Sequence, residues 1–155
     1  MKVENLMTAE VRRCQACDTL NTAAQIMWDA DIGCVPVVDP DGRVIGMVTD
    51  RDISMAAYLQ GVRLIDCPVT SAMSKEVYSC GADDDLADAE RMMREKRVRR
   101  LAVIDEGGIP VGVISLADIA REAERVALSA TDAELTRTLA SISTPRHRIA
   151  EAQAE

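Results

Sequence analysis

Leu20, Ala23, Ala24 and Met27 fall three and four residues apart, the spacing that gathers apolar side chains on one face of a helix. The pattern predicts a helix over 19–31 with Asp18 as its N-cap. Leu86, Ala89 and Met93 repeat the stripe further along. After each stripe the pattern changes to short apolar runs. Val35-Pro36-Val37-Val38 and residues 43–48 read as the strands of a hairpin. Its turn is Asp39-Pro40-Asp41-Gly42, with proline at the second position, as type I turns favour. Residues 101–104 and 111–114, joined by Asp105-Glu106-Gly107-Gly108, read the same way, and Pro110 marks a strand start. Short strands are predicted around Val11 and Val77, and closing helices over 50–59 and 116–128. Each unit is therefore β-α-β-β-α.

A shift of 66 residues lays one unit on the other without a gap. Met7, Glu10, Val11, Cys14, Asp18, Leu20, Ala23 and Met27 land on Met73, Glu76, Val77, Cys80, Asp84, Leu86, Ala89 and Met93. Gly46, Asp52 and Ile53 land on Gly112, Asp118 and Ile119. Such self-similarity marks two copies of one supersecondary unit. The fold class expected is α+β, with the two copies packed through their sheets about a pseudo-two-fold axis and two related clefts between them. Residues 1–61 form the first copy, 62–126 the second, and 127–155 a C-terminal helix and frayed tail. Pro68 suits the first turn of a short helix in the connector. Thr131-Asp132-Ala133-Glu134 is a capping box for the last helix, whose apolar edge is Leu135, Leu139 and Ile142.

Charge and composition narrow the chemistry. A net charge of −8 argues against nucleic acid, whose affinity comes mainly from neutralised phosphates. Aromatics at 2% leave few stacking platforms. No apolar run approaches the ~18 residues of a membrane span, and the N-terminus carries no apolar leader, so the expectation is cytoplasmic. Five cysteines read as free thiols. Cys14-Gln-Ala-Cys17 lacks the second pair that would complete a zinc site, and Cys14 and Cys80 read as small buried hydrophobes. The only histidine, His147, lies in the tail, so no catalytic constellation has a base in the body, and the chain does not read as an enzyme. Asp83-Asp84-Asp85 reads as acids at a helix start rather than a metal cluster.

Two elements remain: Gly46-Met47-Val48-Thr49-Asp50-Arg51-Asp52-Ile53 and Gly112-Val113-Ile114-Ser115-Leu116-Ala117-Asp118-Ile119. Each ends a strand in Thr or Ser and places an Asp three residues later, at a helix start. That is a capping box. It also offers free N–H groups to a phosphate and a carboxylate to a ribose cis-diol. With the strands at Val35-Pro36-Val37 and Leu101-Ala102-Val103, the doubled order of motifs over about 3–124 resembles a tandem pair of cystathionine-β-synthase (CBS) domains, a Bateman module. The absence of an added enzyme or channel domain resembles stand-alone bacterial CBS-pair proteins.

The resemblance implies adenosine-type ligands in two clefts. Asp52 and Asp118 would hold ribose, and Thr49 and Ser115 would face ribose or phosphate. Thr8, Val11, Ile32 and Cys34 would line the Ser115/Asp118 cleft; Ser74, Val77, Val98 and Arg100 the Thr49/Asp52 cleft. Pro36 and its counterpart Ala102 complete the adenine-lining set. Arg99, Arg100 and Arg51 are the candidate phosphate ligands, since a guanidinium fork suits phosphate. Lys96 and Arg97 read as a solvated helix end. Cys34 and Gly33 stand where the second copy has Arg100 and Arg99, so the clefts are expected to bind unequally, with more phosphate charge tolerated near the arginines. The ligands implied are AMP, ADP, ATP, NAD(H) or S-adenosylmethionine, with Mg2+ as an optional companion of the phosphates. The partners implied are a second copy, as a disk-like homodimer, and an unidentified target protein. Two other readings stand beside this regulatory one: a scaffold with empty clefts, and a thiol or metal sensor built on Cys14 and Cys17.

Overall fold

The computed structural model describes residues 1–126, the last three by backbone alone, together with 138, 139, 141 and 142. The two units of the sequence build two three-stranded sheets of identical order. In the first, β1 (Cys14–Gln15) runs parallel to β2 (Cys34–Val38), which pairs antiparallel with β3 (Val44–Thr49). In the second, β4 (Ser79–Cys80), β5 (Arg100–Ile104) and β6 (Pro110–Ser115) repeat that arrangement. Helices α1 (Leu20–Ala30) and α3 (Leu86–Lys96) make the crossovers between the parallel strands, and α2 (Asp50–Gln60) and α4 (Leu116–Val126) follow the hairpins. The α+β class and the duplication are both present.

The helical stripes bury as their spacing requires. Leu20, Ala23 and Met27 pack with Val35, Val37 and Val48 in one core. Ala89 and Met93 pack with Leu101, Val103 and Ile114 in another. Each fully buried aliphatic side chain contributes roughly 1.5–3 kcal/mol, so these clusters supply the main drive to fold. The hairpins turn through Gly42 (φ 85°) and Gly108 (φ 81°), a left-handed conformation that glycine adopts without strain. The carboxylates of Asp39 and Asp105 each accept two backbone N–H bonds across their turns.

The copies exchange their leading segments. Val3, in a 3-10 turn spanning Val3–Asn5, is fully buried in the second core. Its counterpart Val69, in the turn Val69–Ser71, is fully buried in the first core beside Cys67. Thr8 exchanges two backbone hydrogen bonds with Val113 of β6 (2.9 and 3.1 Å), and Ser74 does the same with Met47 of β3 (2.8 and 3.2 Å). Met7 lies on Gly112 and Met73 on Gly46, each where a Cβ would collide with the thioether. The hairpin tips also touch: Val44 N–H donates to the Gly108 carbonyl (3.0 Å) and Arg43 Nε to that of Gly107 (3.2 Å). A division at residue 61 thus passes just ahead of a connector whose Leu64, Cys67 and Val69 belong to the first core.

Two local expectations change. No strand forms around Val11 or Val77; the strands begin at Cys14 and Ser79, and Val11 N–H instead turns back to the Ala9 carbonyl. The N-cap of α1 is Thr19, because Asp18 is committed one turn earlier, its carboxylate accepting from the Gln15 N–H (2.7 Å). Asp84 does the same with Gly81 N–H (2.7 Å). Most of the predicted last helix, including its capping box, lies outside the described residues. Residues 138, 139, 141 and 142 are helical. Thr138 and Ile142 are buried, and Arg94 of α3 donates to the Thr138 hydroxyl (3.2 Å).

Candidate functional site: the cleft of the second capping box

Both motif acids are folded into their helix starts in the same way. Asp118 Oδ2 accepts from Ser115 N–H (2.8 Å) and Ser115 Oγ (2.5 Å), and Asp118 N–H returns to Ser115 Oγ (3.3 Å). Asp52 Oδ2 accepts from Thr49 N–H (2.9 Å) and Thr49 Oγ1 (2.7 Å), with Asp52 N–H on Thr49 Oγ1 (3.2 Å). The cap uses one carboxylate oxygen and leaves the other. Asp52 Oδ1 has no protein partner among the described residues; Asp118 Oδ1 receives the guanidinium of Arg121. Asp118 is 9% exposed, whereas the Arg121 side chain is largely in solvent.

Around Ser115 and Asp118 lies a cleft of about 280 Å³, near the lower end of ligand sites, which span roughly 300–1,000 Å³. Of the residues expected there, Thr8, Val11, Ile32 and Cys34 are all in its lining. So is Arg100, which the family pattern assigned to the other cleft. The register explains this: Arg100 pairs with Ser115 across β5 and β6, so the guanidinium rises beside the motif. Cys34 holds the equivalent place opposite Thr49 across β2 and β3. Gly33 provides room, because a Cβ there would lie 2.7 Å from Arg100 Nη2. Arg100 is half-buried, and neither it nor Arg12 forms an ion pair among the described residues. Burial pushes the Cys34 thiol up to about 11, with Arg100 pulling it down and Asp50 and Asp118 pushing it up. It is a protonated, apolar part of the wall.

The lining also holds Glu10, Arg12, Asp31, Gly33, Val113, Ala117 and Arg121, which were not picked out from the sequence. Arg121 carried a readable signal, an i,i+3 spacing from Asp118. Glu10 and Arg12 come from the exchanged leader and Asp31 and Gly33 from the helix-to-strand corner, which only the fold brings close, while Val113 and Ala117 lie inside the motif itself.

The other expected residues are placed as follows. Ser74 is exposed next to β3, its hydroxyl donating to the Glu76 carbonyl (3.1 Å). Val77 and Val98 are half-buried, and Val98 packs on the second core. Arg51 is exposed in the first turn of α2. Arg99 is exposed, and its carbonyl accepts from Leu116 N–H (2.9 Å). Pro36 and Ala102 are buried inside β2 and β5. None of these lines the described cleft. A second, shallower hollow of about 310 Å³ lies against α1 and α2, lined by Trp28, Asp31 and Asp50 among others, and contains no basic residue.

The profile of the CBS domain matches this chain twice, over residues 3–58 and 69–125. The chain belongs to the CBS domain family. Among relatives, the CBS domain-containing protein YhcV of Bacillus subtilis is 36% identical over 118 residues, covering 76% of this chain and 82% of that protein. Hypoxic response protein 1 of Mycobacterium tuberculosis is 34% identical over 117 residues, 76% of this chain and 81% of that protein. A crystal structure of Hypoxic Response Protein I with two coordinated zinc ions superposes with a TM-score of 0.69 at 33% identity, covering 78% of this chain and 98% of the other. The CBS domain pair of protein MJ0100, solved with 5-methylthioadenosine and S-adenosyl-L-methionine, superposes with a TM-score of 0.75 over 81% of this chain and 98% of the other. At 20% identity that likeness speaks for the CBS-pair fold alone. No described helix is long and apolar enough to cross a membrane.

Proposed function

We propose that this CBS pair is a cytoplasmic regulatory module that binds an adenine nucleotide between its repeats and passes occupancy on as a change in packing. It acts by binding, not by chemistry. The observation that carries this reading is the convergence on one cleft of a capped carboxylate, Asp118, a half-buried guanidinium with no ion pair among the described residues, Arg100, and the apolar walls Val11, Ile32 and Cys34. A carboxylate suits a cis-diol, a guanidinium suits a phosphate, and an aliphatic slot suits a purine in a chain with few aromatics. The adenosine-type ligands of the MJ0100 pair point the same way. By the pseudo-two-fold, Thr49 and Asp52 serve a second cleft, with Ser74, Val77 and Val98 around it and Arg51 and Arg99 at its edge.

The segment carrying Thr8 and Val11 links the cleft to the second core through Val3, so a ligand has a mechanical route into the body. Signalling requires that the ligand favour one packing over another. The test is thermal melting with AMP, ADP, ATP, NAD(H) and S-adenosylmethionine, with and without Mg2+. Ligand at about 100 times its Kd stabilises by about 2.7 kcal/mol, a rise of several degrees for a chain of this size. No shift with any of them at millimolar concentration makes the module a scaffold with empty clefts. For the sensor reading, Cys14 is fully buried, its thiol pushed up to about 11 by burial, while Cys17 is exposed, and unchanged melting with zinc, chelator or oxidant would dispose of it. We also propose a homodimer.

A further inference from the structure

Asp118 Oδ1 is the oxygen that the cap leaves for a ligand, and Arg121 holds it. The two copies provide an internal comparison. Residue 55, which matches 121 in the repeat, is Met, and Asp52 Oδ1 has no partner among the described residues. The capping geometry is otherwise the same, so Arg121 is not required by the motif or the helix start. It is an addition to one cleft. Asp118 Oδ1 can accept two hydrogen bonds, so a cis-diol that brings both hydroxyls to it must first release the guanidinium. That release costs free energy unless the ligand also brings an anion for Arg121, because an ion pair is exchanged for a diol contact alone. Arg121 has room to make the exchange, since its side chain is 70% exposed. Arg12 and Arg100, both lacking an ion pair among the described residues, line the same cleft.

We propose that Arg121 is a specificity-determining residue of the Ser115/Asp118 cleft. It occupies the ribose carboxylate until a ligand supplies hydroxyls for Asp118 and an anion for the guanidinium, and it thereby selects nucleoside phosphates over nucleosides. The proposal rests on the nucleotide reading above and adds the ligand class. The Thr49/Asp52 cleft, with Met55 in its place, carries no such latch.

The test uses the full chain with Asp52→Ala, so that one cleft reports, or with Asp52→Asn if the first variant folds poorly. AMP and adenosine are titrated by calorimetry with Arg121 present and with Arg121→Met. With Arg121 present, AMP binds tighter than adenosine, and the preference shrinks as salt rises. Arg121→Met tightens adenosine, and the AMP-to-adenosine ratio falls by about fivefold, the scale of one exposed ion pair. An unchanged ratio, with both ligands still bound, overturns the role of Arg121 and leaves the nucleotide site standing. Binding of neither ligand to any form overturns the nucleotide reading and this proposal together.

Discussion

At the scale of single residues, the cap draws on one oxygen of the motif acid. Oδ2 closes the capping box, so the ligand-binding role proposed for Oδ1 does not compete with it. The roles separate by mutation. Thr49→Ala and Ser115→Ala each remove a cap hydroxyl, and urea unfolding is expected to show a loss of about 1 kcal/mol apiece. Asp118→Ala costs a similar amount and also removes the nucleotide-dependent rise in melting temperature of its cleft; an intact rise makes the acid a cap only. The cysteines give a pH signature. Burial raises Cys14, Cys34 and Cys80 from 9.0 to about 11. A thiol whose folded value exceeds its unfolded value stabilises the fold below the unfolded value, and that contribution is lost as pH climbs through the folded one. Stability is therefore expected to fall between pH 9 and 11, and Cys34→Ala to shallow that fall in urea midpoints measured across the range.

At the scale of elements, the exchanged leaders tie the copies together. Met7 crosses to Gly112 and Met73 to Gly46, and in each case the strand glycine is the space that the thioether fills. Gly112→Ala is expected to destabilise by about 1–3 kcal/mol through overpacking, and Met7→Ala in the same chain to recover part of that loss. Strictly additive effects in this double-mutant cycle would show that the contact carries no coupling. These contacts also mark the limit of what the sequence conveys. The stripes at Leu20, Ala23 and Met27, the turn glycines and the 66-residue repeat are local or periodic, and they foretold the helices, hairpins and duplication. The partnership of Met7 with a glycine a hundred residues away leaves no periodic trace. Asp18 carries the sequence signal of a cap without being one, because an Asx turn and an N-cap draw on the same residue type. Arg100 lines the Ser115/Asp118 cleft rather than the one its family position implies, because family position, unlike strand register, does not say which side of the pseudo-axis a long side chain leans toward.

For the whole molecule, the repeat serves as its own control for surface chemistry. Trp28, Tyr58 and Leu59 are 82%, 80% and 73% exposed, and Met55 is also exposed, all on α1 and α2. The matching positions in the second copy are Arg94, Glu124, Arg125 and Arg121. The fold therefore accepts charge at all four places, and the apolar face of the first copy is bare among the described residues. On α3, Thr138 and Ser141 already sit against Arg94, so the corresponding face of the second copy is partly covered by the chain itself. A second copy suits the bare face. Two chains of net charge −8 repel, and a dimer can form where that charge is locally absent and the patch is self-complementary about a two-fold axis. Apolar α1/α2 cannot pair well with the charged α3/α4 of its neighbour, so the contact of the proposed dimer is first copy to first copy. Sedimentation velocity is expected to show a dimer for the native chain and a monomer for Trp28→Glu combined with Tyr58→Glu, with the circular dichroism spectrum unchanged. Arg94→Glu, on the opposite copy, is expected to leave the dimer intact. A native chain that sediments as a monomer, or a dimer lost in Arg94→Glu but kept in the double variant, assigns the interface elsewhere.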